Sequence, residues 1–221
     1  MKRFLWVFLA ALIFWAAFGS FIFHQYRLRD AFDQIRQRLI LIASNAALVI
    51  DAAELLEIPL QRTGDTSAAY QAVSEKLETI KNANPGLKYA YIMMATDQPG
   101  ILQYAVDADP APQVITAKGP SALPGDKYDA RGFPEMLMAY TAPNADKKIS
   151  RDAWGSVISG YAPIRDVDGK SIAILGVDID AARIDKFQKN VHLSGLAALA
   201  AFFIFIFSLF AVIIFRSKNA F

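Results

Sequence analysis

Tyrosine, tryptophan and aspartate side chains occupy the positions in this sequence that are suited to binding chemistry. An aromatic ring offers a large contact area, and its hydroxyl or indole group gives a bound molecule a direction. The same residues also pack well on the face of a sheet, and this simpler interpretation stays open for each of them. The aromatic candidates for a pocket lie on predicted strands: Tyr89, Tyr91, Tyr104, Trp154 and Tyr161.

Two aspartates, Asp107 and Asp178, each end an otherwise apolar predicted strand. A carboxylate at such a position either binds a cation or a ligand donor, or caps a turn through backbone N–H groups. Ser159 shares the alternating face of Tyr161, and Tyr128-Asp129 lies on a long loop that would cover a pocket. We therefore predict a small-molecule site formed by Tyr91, Tyr104, Asp107, Tyr128, Asp129, Trp154, Ser159, Tyr161 and Asp178.

The pattern of residues does not indicate a catalytic function. The chain has no cysteine, and its two histidines, His24 and His192, stand at the two ends of the predicted domain. No paired-carboxylate motif or phosphate-binding glycine loop is present. The string Asp166-Val-Asp-Gly169 lacks the later ligands of a calcium loop and predicts a hairpin turn instead. We predict no enzymatic activity, no cofactor and no metal site.

Two hairpins are the elements that must position these side chains. Side chains of both hairpins are assigned to alternating faces, with the period of two that is typical of strands. Ile172–Val177 is apolar on both faces, so we expect this strand inside a sheet that is covered on both sides. Asp168-Gly169 favours a tight turn between the last two strands, because glycine tolerates the positive φ that such turns require. The predicted strands are Lys88–Ala95 with Ile101–Asp107, and Trp154–Ile164 with Ser171–Asp180 across the turn Arg165–Lys170.

Helical periodicity precedes and separates the hairpins. Apolar residues recur at spacings of three and four from His24 to Ile58, and Pro59 predicts the stop. Helices followed by strands predict an α+β fold, with an antiparallel sheet and the helices on one face. The remaining predicted elements are a helix capped by Asp65 or Thr66 that runs to about Asn82, an irregular loop Asp109–Tyr128, a short helix Phe133–Tyr140 and a helical connector Ala181–Val191.

Two uncharged apolar runs, Phe4–Phe23 and Leu193–Phe215, flank this domain. Each is long enough to cross a hydrocarbon core of ~30 Å as a helix rising ~1.5 Å per residue. All acidic residues lie between Asp30 and Asp185, so the short ends are basic and are expected in the cytoplasm. The near-neutral middle argues against nucleic-acid binding. The predicted organisation is a cytoplasmic tail and first transmembrane helix (1–23), an extracytoplasmic domain (24–192), a second transmembrane helix (193–215) and a cytoplasmic tail (216–221).

A set of short strings spans roughly residues 60–180 between these runs. The strings are Ser67-Ala-Ala-Tyr70, Asn84-Pro-Gly-Leu-Lys-Tyr-Ala-Tyr91, Tyr104-Ala-Val-Asp107, Gly125-Asp-Lys-Tyr-Asp129, Asp152-Ala-Trp-Gly155, Ser159-Gly-Tyr-Ala-Pro-Ile164 and Gly176-Val-Asp178. Their order resembles the extracytoplasmic PDC (Cache-type, PAS-like) sensor domains of bacterial transmembrane receptors. The likeness is strongest to sensors that precede diguanylate cyclases, adenylate cyclases or histidine kinases.

This resemblance implies a PAS-like sheet of five or six strands behind a long membrane-proximal helix, with a small-molecule pocket between the sheet and its loops. In amine-binding relatives the aspartate of the Gly-x-Asp string contacts the ligand, which favours Asp178 here. Relatives that bind amino acids carry an Arg-x-Trp-Tyr string near the short helix. Arg131-Gly-Phe-Pro134 lacks the Trp-Tyr pair, so we do not predict an amino-acid ligand.

Taken together, the residues and the resemblance predict a two-pass protein of the bacterial inner membrane that binds a small molecule outside the cytoplasm and transmits a signal across the membrane. Its expected partners are a second copy, through the long first helix, or a membrane signalling protein. Because no output module follows the second run in this sequence, we expect that module on a longer receptor or on a partner. The alternative is a structural subunit that docks a periplasmic protein and binds no ligand.

Overall fold

The computed structural model describes residues 2–108, 122–152, 155–182, 193, 195–197, 199–200 and 202–208. The chain forms two compact units, one made of residues 1–32 with 184–221 and one made of residues 33–183. Trp154, the loop segment 109–121 and most of the predicted connector Ala181–Val191 lie outside the described residues.

The first unit is helical throughout its described part. It contains the beginning of helix α1 (Lys2–Val49), and the described residues between 193 and 208 are also helical. Within the described part of the chain, no helix is both long enough and apolar enough to cross a membrane. The two transmembrane spans therefore stay predictions from the sequence.

The helices of the second unit differ from the predicted ones at their boundaries. The predicted single helix to Ile58 is wrong, because α1 ends at Val49 and a short helix α2 (Ala52–Leu56) follows. Asp51 begins α2 by accepting a hydrogen bond from the N–H of Ala53 at 2.8 Å. A 3₁₀ turn (Arg62–Thr66) then precedes α3 (Ala68–Ala83), and the N-cap of α3 is Ser67 rather than Asp65 or Thr66.

An antiparallel sheet is the centre of the second unit. The sheet and the helices together confirm the predicted α+β class, and α1 confirms the predicted long N-terminal helix. The sheet has seven strands in the described chain, more than the five or six that the resemblance implied, in the order β3-β2-β1-β7-β6-β4 with β5 also on β6. The strands are β1 Leu87–Ala95, β2 Ile101–Asp107, β3 Lys127–Asp129, β4 Asn144–Ala145, β5 Ser150–Asp152, β6 Gly155–Arg165 and β7 Ser171–Asp180, and helix α4 is Pro134–Met138.

The two faces of this sheet carry different layers. Gly160 of β6 lies directly under Leu39 of α1, and α3 packs beside β1 and β2 on the same side. Side chains alternate along a strand, so the neighbour Tyr161 points to the other face. There it joins a buried, largely aromatic cluster that includes Tyr91, Tyr104, Tyr128 and Met136. One face is thus covered by α1 and α3, and the other by α4 and the preceding residue Phe133. The prediction that the helices share one face is therefore wrong for α4.

Candidate functional site

A small cavity lies on the aromatic face of the sheet, beneath α4. Its volume is about 20 Å³, which is room for a single water molecule. Strands β1, β2, β3 and β7 supply most of its wall, and α4 supplies one side chain. The lining residues are Tyr89, Tyr91, Tyr104, Asp107, Tyr128, Met136 and Asp178.

Tyr91 lies at the centre of the wall, on the middle strand β1. Its strand partner on β7 is Gly176, and a Cβ at that position would come within 2.4 Å of the Tyr91 ring. The missing side chain therefore lets the Tyr91 ring pass close over β7 at Gly176. Its hydroxyl donates a buried hydrogen bond of 3.2 Å to Asp178 Oδ1. Burial, and then the charge of Asp178, raise the pKa of Tyr91 well above the ordinary value, so the group stays a hydrogen-bond donor.

A row of aromatic rings extends from Tyr91 to the covering segment. Tyr91 and Tyr104 meet edge to face with their centroids 6.0 Å apart, and Tyr104 and Tyr128 meet in the same way at 6.2 Å. Tyr128 in turn contacts Phe133, the residue before α4, at 5.6 Å. Successive ring contacts therefore connect the wall of the cavity at Tyr91 with Phe133, next to the covering helix α4.

Two buried carboxylates stand on opposite sides of β1. Asp107 on β2 pairs with Tyr91, and Asp178 on β7 pairs with Tyr89. Both line the cavity, whereas the main-chain carbonyl of Asp107 accepts hydrogen bonds from Ser74 at 3.2 Å and Tyr70 at 3.5 Å. Among the described residues that line the cavity, none is basic. The cavity therefore combines negative charge with aromatic surface.

The other predicted site residues lie elsewhere. Ser159 and Tyr161 are buried on the same face, opposite Asp178 and Gly176 of β7, but they lie beside the cavity and do not line it. Asp129 is exposed and pairs with Arg131, whose guanidinium holds the pKa of that carboxyl at about 2. Because Tyr128 and Asp129 are neighbours on one strand, only the tyrosine faces the cavity.

Two lining residues were absent from the nine residues of the predicted site, although one of them, Tyr89, was among the aromatic candidates for a pocket. Tyr89 alternates with Tyr91 on β1, and this alternation was a usable signal for placing it on the same face. Met136 comes from α4, and nothing in the local sequence states which side of so short a helix covers the sheet. The group of predicted residues that the structure brings together is Tyr91, Tyr104, Asp107, Tyr128 and Asp178.

Asp146 is a further buried polar residue that the sequence did not single out. It follows β4 and is 2% exposed. Its carboxylate accepts hydrogen bonds from the Ser150 hydroxyl at 2.7 Å, the Tyr161 hydroxyl at 3.1 Å and the Ser159 N–H at 3.2 Å. Burial raises the pKa of Asp146, and these three donors oppose that rise.

No side chains in the described part of the chain are grouped as a metal site, that is, as three or more His, Cys, Asp or Glu residues placed to hold one ion. The cavity is lined by phenol hydroxyls, carboxylates and one thioether. Such a wall can bind a molecule and orient it.

Comparison with known proteins gives structural neighbours only. No protein-family model matches the chain, and no curated protein matches it in sequence. Three similar solved structures are the ligand-binding domain of the Campylobacter jejuni chemoreceptor Tlp3 with L-valine (14% identity, TM-score 0.46, 77% of this chain and 60% of that one), the sensor domain of E. coli DcuS (15%, 0.45, 74% and 98%) and the ligand-binding domain of Pseudomonas aeruginosa PctC with GABA (15%, 0.36, 72% and 69%).

All three of these solved structures are ligand-binding or sensor domains. The chain spans about three fifths of the length of the Tlp3 domain. At such identities the likeness concerns the fold alone.

Proposed function

We propose that this chain is a membrane-anchored sensor whose extracytoplasmic domain binds a small organic cation in the cavity between the sheet and α4, and passes a displacement to the membrane. The observation that carries the proposal is the lining of the cavity, which holds two buried aspartates and four tyrosines. The resemblance of the sequence strings to PDC sensor domains supports the same class of function.

The chemistry of the lining favours a positive ligand. The face of an aromatic ring carries negative potential and attracts ammonium groups within about 6 Å of its centroid. A carboxylate adds charge attraction and a hydrogen-bond acceptor for an N–H or O–H group. With Asp107 and Asp178 on either side of β1, a cation meets favourable groups from several directions.

Binding requires that the wall of the cavity move. A ligand of several heavy atoms needs more room than about 20 Å³, so part of the lining must be displaced. Helix α4 has only five residues and contributes Met136 to the cavity from outside the sheet, so it is the element that we propose to move away from the sheet. A ligand that fits only the open arrangement shifts the population toward it by its difference in affinity for the two.

Anchoring in the membrane is the second part of the proposal, and the sequence supports it. Phe4–Phe23 and Leu193–Phe215 are uncharged and are long enough to cross a bilayer as helices. Asp178 lies two residues before the end of β7, and the chain then leads through a short connector to the second run. A displacement at the cavity thus has a short covalent route to the membrane.

Choline is expected to stabilise the full chain in detergent, and its uncharged tert-butyl analogue is expected to have little effect. At a hundredfold excess over Kd, a ligand that binds only the folded state adds about 2.7 kcal/mol to the free energy of unfolding. Asp178→Asn should weaken choline binding about tenfold, because the carboxylate charge is lost while the shape is kept. Thermal unfolding at fixed ionic strength measures both effects.

Asp129→Asn is the matched control for this experiment. It removes an aspartate charge from β3, another strand of the same sheet, but the side chain is exposed and paired with Arg131. Choline should stabilise this variant as much as the unchanged protein. Equal stabilisation of the Asp178→Asn variant, or stabilisation by the analogue as strong as that by choline, would argue against a cation site.

A second copy of the chain is the proposed partner, through the part of α1 that belongs to the second unit. Leu41 and Leu48 are 62% and 85% exposed there. Beside this ridge, α1 and α3 form a largely apolar groove of about 660 Å³. A ridge and a groove on one surface can fit each other in a twofold dimer, where each copy offers the same patch. The residues that line the groove are Ile42, Asn45, Ala46, Val49, Ala72, Glu75, Lys76, Thr79, Ile80, Ala83 and Asn84.

Leu48→Glu is expected to dissociate this dimer, because it places a charge in an apolar contact. The molecular mass of the full chain in detergent, measured by sedimentation equilibrium, should fall by half. Val167→Glu is the control, since Val167 is a fully exposed apolar residue at the tip of the β6–β7 hairpin. If both variants keep the mass of the unchanged protein, this face of α1 is not the dimer interface.

A further inference from the structure

The last residue of β4 and the two residues that follow it make polar contacts with three separate parts of the second unit. Residues 145–147, which we call the coupling segment, lie at the edge of the sheet next to β6. Asp146 is buried at its centre, and its main-chain N–H donates to the carbonyl of Ser159 at 2.9 Å. The Ser159 N–H returns a bond to the carboxylate of Asp146 at 3.2 Å. Asp146 and Ser159 are thus joined by two hydrogen bonds, one donated by each residue.

The first contact is with the aromatic face. The Tyr161 hydroxyl donates to Asp146 Oδ1 at 3.1 Å, and the Tyr161 ring is fully buried in the cluster that contains Tyr91, Tyr104 and Met136. The ring of Tyr161 therefore packs in the same buried cluster as residues that line the cavity, while its hydroxyl binds the coupling segment.

The second contact is with helix α1, on the opposite face of the sheet. Arg36 donates from Nε to the carbonyl of Asp146 at 3.0 Å and from Nη2 to the carbonyl of Ala145 at 3.2 Å. Its third nitrogen pairs with Asp33 on the same helix at 3.3 Å. One planar guanidinium thus fastens two consecutive carbonyls of the coupling segment to α1, a geometry that a lysine cannot reproduce.

The third contact is with the cover of the cavity. Lys147 pairs with Glu135 of α4 at 3.4 Å, and the next residue of α4, Met136, lines the cavity. Movement of α4 away from the sheet therefore pulls on Lys147, which directly follows the two residues that Tyr161 and Arg36 hold, Ala145 and Asp146.

We propose that the coupling segment transmits displacement of the cavity wall to helix α1, with Asp146 as the positioning residue that joins Tyr161 on one face of the sheet to Arg36 on the other. The inference rests on the proposed sensor function, which gives this connection its role. The contacts that form the connection are present without any ligand. The coupling segment would be a second route for a displacement of the cavity wall, through the edge of the sheet to α1. The other route is the covalent one from β7 to the second apolar run.

Hydrogen exchange of the full chain in detergent, without ligand, tests the link. Tyr161→Phe removes only the hydroxyl that fixes Asp146 and should speed exchange of α1 amides between residues 37 and 46 about fivefold, while α3 amides keep their rates. In an Arg36→Gln background the same substitution should no longer change α1, because the link to the helix is already broken. In an Arg38→Gln background, which alters an exposed arginine of the same helix, the effect should remain in full.

Tyr70→Phe serves as a second control, because it removes a buried tyrosine hydroxyl that contacts Asp107 from α3. It should leave α1 exchange unchanged. Unaltered α1 rates in Tyr161→Phe, equal changes in α1 and α3, or an effect that persists in the Arg36→Gln background would each overturn the proposal. Since no ligand enters this experiment, its failure is distinct from failure of the choline experiment.

Discussion

Replacement of Gly160 by alanine is expected to lower the free energy of unfolding by about 3 kcal/mol. A Cβ at this position would lie 2.5 Å from the Cβ of Leu39, 2.7 Å from its carbonyl carbon and 2.8 Å from its carbonyl oxygen. Two of these atoms belong to the backbone of α1, so no side-chain rotation relieves the overlap. Either α1 or β6 must move, and both are buried here.

Gly132→Ala is the control for this substitution, since no atom lies within 4 Å of a Cβ built at Gly132. Urea unfolding of the full chain in detergent, followed by circular dichroism, measures the free energies, and thermal unfolding should show a decrease of about 6–12 °C for Gly160→Ala alone. A Gly160→Ala variant as stable as the control would mean that α1 does not pack on β6 as closely as described.

Strand alternation made much of the sheet predictable from the sequence. The tyrosines at positions 89 and 91 fall on one face because side chains alternate along a strand, and the β6–β7 turn follows from local chemistry. Asp166 Oδ1 accepts the N–H groups of Asp168 and Lys170 at 3.0 Å and 2.9 Å, and Gly169 has a φ of 80°. Such turns are encoded by a few adjacent residues.

Helix boundaries were less predictable, for a physical reason. The apolar period continues from α1 into α2, because Ile50 and Leu55 are both buried although the helix breaks between them. Periodicity therefore reports which residues face the core and does not report a break. Only the capping residue marks the break, and Asp51 was the available signal.

The residues in and around the candidate site also divide into those that the sequence could predict and those that it could not. Its strand residues follow from alternation and from the ends of apolar strands, which is why Asp107 and Asp178 could be named. Met136 and Asp146 come from segments outside the long strands, and their positions depend on how α4 and the coupling segment fold back on the sheet. Contacts between residues distant in sequence leave no periodic pattern, so sequence alone could not place them.

Gly176→Ala is expected to lower the free energy of unfolding by about 2 kcal/mol and to abolish stabilisation by choline. A Cβ here would lie 2.4 Å, 2.5 Å and 2.8 Å from Cε2, Cζ and the hydroxyl oxygen of Tyr91. The ring cannot turn aside freely, because it is buried and packed edge to face on Tyr104. Its displacement would break the hydrogen bond to Asp178 and push the ring into a cavity of about 20 Å³.

A double-mutant cycle with Tyr91→Leu separates this clash from a general weakening of β7. Leucine lacks the ring atoms that a Cβ at position 176 would meet, so Gly176→Ala should cost less in that background, with a coupling free energy of about 1 kcal/mol or more. If the substitution costs the same with leucine at position 91 as with tyrosine, the cost does not arise from the Tyr91 ring. Gly176→Ala should then lose choline binding, whereas Gly132→Ala should keep it. This pair of results would show that choline binding depends on the close approach of Tyr91 to Gly176, where the tyrosine hydroxyl donates its hydrogen bond to Asp178.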